Sequence, residues 1–186
     1  MKQIAFAFLV GIGVLSIAVT PIAQSSLLSS EILEDWQRMR QLMMSIADAM
    51  PEDKFDYAST PEQRNWGEQI LHVAGGNVFL MGFLGAQTSA PMIDRRDFRT
   101  FGHTATSKAE ILEILSQSFD YGEAVLREFD DDGLLEQAAG PPWVGSERTR
   151  LRVANFVIGH QWDIYGQMVV YLRLNGIVPP ASSRGV

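Results

Sequence analysis

The segment 149-TRLRVANFVIGHQWDIYGQMVVYLRLNG-176 decides the architecture. Val153, Val157, His160, Ile164, Met168 and Tyr171 recur at steps of three and four, the period that lines one face of an α-helix. Thr149 stands where an N-cap hydroxyl belongs, Asn175-Gly176 supplies the left-handed C-terminal residue, and Pro179-Pro180 prevents the helix from resuming.

The same period appears three more times upstream. Residues 31–50 place Ile32, Trp36, Met39, Met43, Ile46 and Met50 on one face, with Ser30 as the expected N-cap and Pro51 as the stop. Thr60-Pro61-Glu62-Gln63 has the layout of a helix start, so a second helix is expected from there through Trp66, Ile70, Val73 and Phe79 to about Leu84. From Ile70 onward its polar side chains are His72 and Asn77, which predicts the most buried helix. Gly75, Gly76, Gly82 and Gly85 weaken its intrinsic propensity, so packing must hold it, and the small residues can admit a neighbour closely. Ser107-x-x-Glu110 predicts a third helix through Ile111, Leu115, Phe119 and Leu126 to Phe129, ended by Asp130-Asp131-Asp132-Gly133. The mixed stretch 87–106 reads as a long crossover. No strand-like alternation and no internal repeat is present. Four helices of this kind predict an all-α four-helix bundle.

Ahead of them, Lys2 precedes an apolar run, and residues 3–30 carry no charge. This is the layout of a secretory signal peptide, residues 1–25, cleaved after Ser25, with residues 26–186 as the bundle domain. An uncleaved N-terminal anchor is the rival, but Thr20-Pro21 interrupts the run early for a span of about 20 apolar residues. The mature product would be periplasmic or secreted, with no membrane contact after cleavage. The full chain has 186 residues and a formal charge of −7, and removing the signal takes away one lysine and no acid. No basic cluster is available to neutralise phosphates, which argues against nucleic acid as a partner. The absence of cysteine excludes disulfides, thiolate metal sites and cysteine nucleophiles. Any chemistry must use three histidines, carboxylates, hydroxyls or a bound ion.

Two histidines fall on apolar stripes. His160 lies within the stripe of the last helix and His72 within the least polar part of the second, so both are expected to face one interior. Buried imidazoles need partners, since an unmet polar group costs about 1–3 kcal/mol. They can serve each other through a water or a metal, or each can be a hydrogen-bonded core histidine beside Tyr165, Asn77 or a carbonyl. Trp36, Trp66, Trp143 and Trp162 read as packing rather than cavity lining. Arg148-Thr149-Arg150-Leu151-Arg152 reads as a solvated basic patch. Asp130–Asp132 fails as an EF-hand because its twelfth position is Pro141.

The stretches Pro51-Glu52-Asp53-Lys54-Phe55, Thr60-Pro61-Glu62 and Gly67-Glu68-x-x-x-His72-Val73-Ala74, and above all the run from His160 through Tyr165-Gly166-Gln167-Met168 to Pro180, resemble the DinB family, in particular its exported members. The resemblance covers nearly all of the chain beyond the signal. It implies an up-up-down-down bundle, often dimeric, and a divalent metal held by one histidine on the second helix and an H-x-x-x-H pair on the last. His72 and His160 occupy the first two ligand positions. The third is Ile164, which cannot ligate, so zinc or nickel binding is expected to be weak or absent. Glu68, Asp163 and His103 are the conceivable replacements, each more naturally solvated or locally bonded.

Two functions follow. One is an exported bundle related to metal-dependent hydrolases or thiol transferases, with His72 and His160 holding the ion. The other is a non-catalytic module that has lost the metal site, binding a small molecule or a second copy of itself. No catalytic residue is assigned.

Overall fold

The computed structural model describes residues 26–145 and 148–183. The expected signal lies outside them. Four long helices form the bundle: α1 (Leu27–Ala49), α2 (Trp66–Met81), α3 (Lys108–Leu126) and α5 (Arg150–Leu174). A single-turn α4 (Asp131–Leu135) links α3 to α5. Among the described residues there is no β-strand, and one isolated antiparallel bridge joins Gln137 to Thr149.

The face anticipated for α1 is the face it buries, with Ile32, Trp36, Met39, Met43 and Ile46 all in the core. Helix α1 packs on α3 and α5, and α2 packs on the same two, so α1 and α2 share one diagonal of the bundle. Trp36 closes the α1–α3 seam: its Nε1 donates to the Phe119 carbonyl at 3.0 Å. A Cβ added at Gly122 would lie 2.0 Å from its ring. Burying such a side chain contributes about 1.5–3 kcal/mol, and seams of this kind, rather than helix propensity, hold the bundle.

Contacts also fix chain direction. Gln37 meets Glu123 and Lys108 meets Asp48, so α3 runs against α1. Gly67 lies beside Ile111 and Asn77 beside Ser118, so α2 runs with α3. Arg150 reaches the Leu84 carbonyl while Gln69 bonds Gln167, so α5 runs against α2. Two helices therefore point each way, as expected, but their order along the chain is up, down, down, up rather than up-up-down-down. The reason is the number of long connections: one crossover, residues 85–107, joins the parallel pair α2 and α3, whereas up-up-down-down order needs two.

Two helix starts differ from expectation. Helix α1 begins before Ser30 because the Asp131 carboxylate accepts from Leu28 N–H at 3.1 Å and Ser29 N–H at 2.9 Å. Helix α2 starts at Trp66, not at Thr60-Pro61, which instead forms a turn closed by Gln63 N–H to Thr60 O at 3.2 Å. Asn65 is the real N-cap: its side chain accepts from Glu68 N–H, and Glu68 accepts from Asn65 N–H, both at 2.8 Å. The two sequences compete with equal local merit. Full burial of Trp66, whose indole donates to Ala47 O, and backbone bonds from Trp66 and Gly67 to Tyr57 and Phe55 decide between them.

Helix α3 opens as anticipated on Ser107, whose Oγ accepts from Glu110 N–H at 3.3 Å, and α5 on Thr149, which accepts from Arg152 N–H at 3.2 Å. Gly176 takes the expected left-handed conformation, with φ of 70°. The three arginines near Thr149 are not a free basic patch. Arg148 bonds Ala139 O, Arg150 bonds Leu84 O, Gly133 O and Glu136, and Arg152 bonds Val144 O, so they tie the loops at that end to α5.

Candidate functional site

Helices α2 and α5 bring His72 and His160 together at mid-bundle. Their Nε2 atoms are 3.2 Å apart, and the ring centroids 5.1 Å. The glycines make this approach possible. A Cβ at Gly76 would press on His160 Cε1 at 3.2 Å. A Cβ at Gly75 would overlap the Phe101 ring at 2.1 Å. Phe101 itself has φ of 54° and is buried, so the crossover is folded tightly onto α2 at this point. Bonds from Asp94 N–H to Phe101 O and Phe101 N–H to Asp97 O close that turn. Phe98 and Phe101, with Phe79, make an aromatic roof beside the imidazoles.

The tautomer of His72 follows from its partner. Nδ1 lies 2.6 Å from the Phe98 carbonyl, which can only accept, so Nδ1 carries the proton and Nε2 presents a lone pair. Burial, then the Arg64 charge and His160, push the His72 pKa down to about 4. Burial also lowers that of His160. Both rings are therefore neutral at neutral pH. Either His160 Nε2–H donates to His72, or both lone pairs converge on a shared ion. Two nitrogens on one tetrahedral zinc lie roughly 3.3 Å apart, given Zn–N bonds near 2.0–2.1 Å, so the observed separation suits both arrangements. In either one, His160 Nδ1 is buried without a protein partner.

The remaining candidates are not brought to this pair. Ile164, one helical turn after His160, is buried at 2% exposure and offers no donor atom. Glu68 is engaged by Arg99 at 2.6 Å and by its capping role; burial opposes its ionisation, but those hydrogen bonds bring its pKa below the usual value. Asp163 is exposed and accepts from Gln167 at 3.3 Å, acting on the histidines only through its charge. His103 sits in the crossover among Gly102, Thr104 and Ala105, away from the pair, with its pKa lowered by burial. No group of three or more histidine, aspartate or glutamate side chains disposed to hold a metal exists among the described residues.

Tyr165 and Asn77 do not serve the histidines either. Asn77 belongs to a fully buried amide chain that the sequence reading missed: Gln161 Nε2 donates to Asn77 Oδ1 at 2.7 Å, Asn77 Nδ2 to Ser118 Oγ at 3.1 Å, and Ser118 Oγ to Leu115 O at 2.7 Å. Gln161 stands four residues after Val157 and three before Ile164, so the helical period puts it on the buried face, and only its polar side chain concealed it. Of the tryptophans, Trp36 and Trp66 are core, whereas Trp143 and Trp162 are exposed, Trp143 stacking on Phe79.

The family model of the DinB superfamily matches residues 35–168. The chain belongs to the DinB superfamily. Solved DinB structures share the fold at low identity. A DinB-like protein from Bacillus cereus ATCC 10987 is 16% identical with a TM-score of 0.68, over 81% of this chain and 95% of that one. The DinB-like YjoA of Bacillus subtilis is 14% identical with a TM-score of 0.59, over 78% and 92%. YfiT of Bacillus subtilis, described as a probable metal-dependent hydrolase with an unusual four-helix bundle topology, is 12% identical with a TM-score of 0.61, over 85% and 94%. No curated protein matches the chain significantly.

Proposed function

We propose that this DinB protein is exported and holds a divalent cation, zinc or nickel, through His72 and His160, as a two-nitrogen relative of the metal-dependent hydrolases. One observation carries the reading: two neutral imidazoles on different helices present converging Nε2 atoms, and the proton of His72 is fixed on the far nitrogen by Phe98 O. A carbonyl holding the outer nitrogen is the usual way in which a metal-binding histidine is oriented. The donor set fits an ion whose other positions are filled by water or substrate. It does not fit the three-nitrogen site of the family resemblance. An ion there would act as a Lewis acid on a substrate oxygen.

Ile164 favours the second reading, a bundle without catalysis that binds a small molecule or a second copy. Calorimetric titration with zinc and nickel separates the two. The wild type should bind weakly, His72→Ala should abolish binding, and Ile164→His should tighten it by adding a nitrogen one helical turn from His160. A wild type and an Ile164→His variant that both fail to bind would remove the metal reading.

A further inference from the structure

Beside the paired histidines, on the far side of the Phe98 carbonyl, lies a cavity of about 350 Å³ lined by Arg64, Arg99, Gln69, Gln167, Phe98 and Glu62 among others. The Phe98 oxygen is shared: His72 Nδ1–H donates to it at 2.6 Å and Arg64 Nη2–H at 3.3 Å. Arg64 is a half-buried cation that makes no ion pair among the described residues, and its buried Nε has no protein partner. Burial and the neighbouring Arg99 charge disfavour its protonated form and outweigh the favourable charge of Glu68. Arg99, by contrast, is balanced by Glu68 at 2.6 Å. Gln69, 1% exposed, donates to Gln167 at 2.9 Å while its own Oε1 lacks a partner.

We propose that this cavity binds the carboxylate of a small molecule, with Arg64 as the cation that receives it and Gln69 as a neutral acceptor for a donor on the same molecule. Charge selects the class. Arg64 makes no direct ion pair among the described residues, the Glu68 charge reaching it only at longer range, and Glu62 on the lining repels a second negative charge, so a monoanion fits better than a phosphate dianion. A planar guanidinium also matches a carboxylate in bidentate geometry. That the ligand is the substrate of the histidine centre rests on the proposed function; the binding site does not.

The test is titration of the purified, metal-free protein at low salt with N-acetylglycine, and in parallel with inorganic phosphate, followed by NMR of the arginine Nε–H and backbone amide signals. N-acetylglycine should give saturable shifts at Arg64, Phe98 and Arg99 at millimolar concentration. Arg64→Gln should weaken binding by roughly tenfold to a hundredfold, the range expected for loss of a charge-assisted hydrogen bond. Glu62→Gln should tighten it, an outcome that a misfolded variant cannot mimic. Saturable binding should appear in the metal-free protein whether or not zinc binds in a separate titration, which separates this site from the metal reading. Absence of saturable shifts, or binding indifferent to both Arg64→Gln and Glu62→Gln, would overturn the proposal. Stronger binding of phosphate would overturn the carboxylate assignment.

Discussion

His72 and His160 are kept neutral by the same packing that brings them together, and this has a consequence for stability. An unfolded histidine titrates near 6.5, whereas His72 in the fold does so at about 4. Between those values the unfolded chain takes up a proton that the folded chain refuses, so stability is full above pH 6.5 and falls as pH drops toward 4. His160 and His103, lowered by burial, act in the same direction. Carboxylates held down by partners, such as Glu123 by Arg127, begin to add their own loss from about pH 5 downward, as the unfolded groups start to protonate. Urea midpoints measured from pH 7 to 4.5 should therefore decline for the wild type and decline less for His72→Gln. Equal slopes would show that His72 is not held in its neutral form. The pair's burial was readable from the stripes on which both residues lie. Its geometry was not, because it depends on Phe101 lying against Gly75 and His160 against Gly76, contacts between segments distant in sequence.

At the scale of elements, both ends of α1 are finished by other parts of the chain. Asp131 accepts from the first-turn amides of Leu28 and Ser29, and from Ser29 Oγ at 2.9 Å. At the other end Lys108 Nζ donates to the carbonyls of Asp48 at 2.5 Å and Met50 at 3.1 Å. The orphan groups of a helix terminus must find partners, and here they find them across more than 50 residues of sequence. Asp131→Ala should cost about 1 kcal/mol, up to about 2, the range for loss of an N-cap acceptor. Chemical unfolding of this variant beside Asp131→Asn, which keeps a side-chain acceptor, checks it: a loss in Asp131→Ala no larger than in Asp131→Asn would contradict the capping role. The sequence alone places Asp130–Asp132 at the end of α3 and, with Pro141 at the twelfth position, excludes a calcium loop. Asp130 instead caps α4, accepting from Gly133 N–H at 2.8 Å, and Asp131 caps α1, a role that no local pattern encodes.

For the molecule as a whole, the proposed export rests on the sequence alone. Lys2 followed by an uncharged apolar run is the layout that feeds a secretion machinery, so mass spectrometry of periplasmic or secreted material should find a mature N-terminus near Ser26. Intact Met1 in the membrane fraction would establish the anchor instead. Among the described residues no helix is long and apolar enough to cross a membrane.

Helical periodicity in the sequence determined the four long helices, their buried faces, the caps at Ser107 and Thr149 and the stop at Gly176, because each depends on residues within about one turn of one another. The inward placement of His72 and His160 followed from the same periodicity. Tertiary structure decided the rest. It chose Asn65 over Thr60 as the start of α2, because burying Trp66 outweighs the difference between two equivalent caps. It set the order up, down, down, up, because only the packed helices show which link crosses the bundle. It drew Glu68 into an ion pair with Arg99, and it left Arg64 on the wall of a cavity without an ion pair of its own among the described residues. Each of these outcomes depends on groups far apart in sequence, which no local window contains.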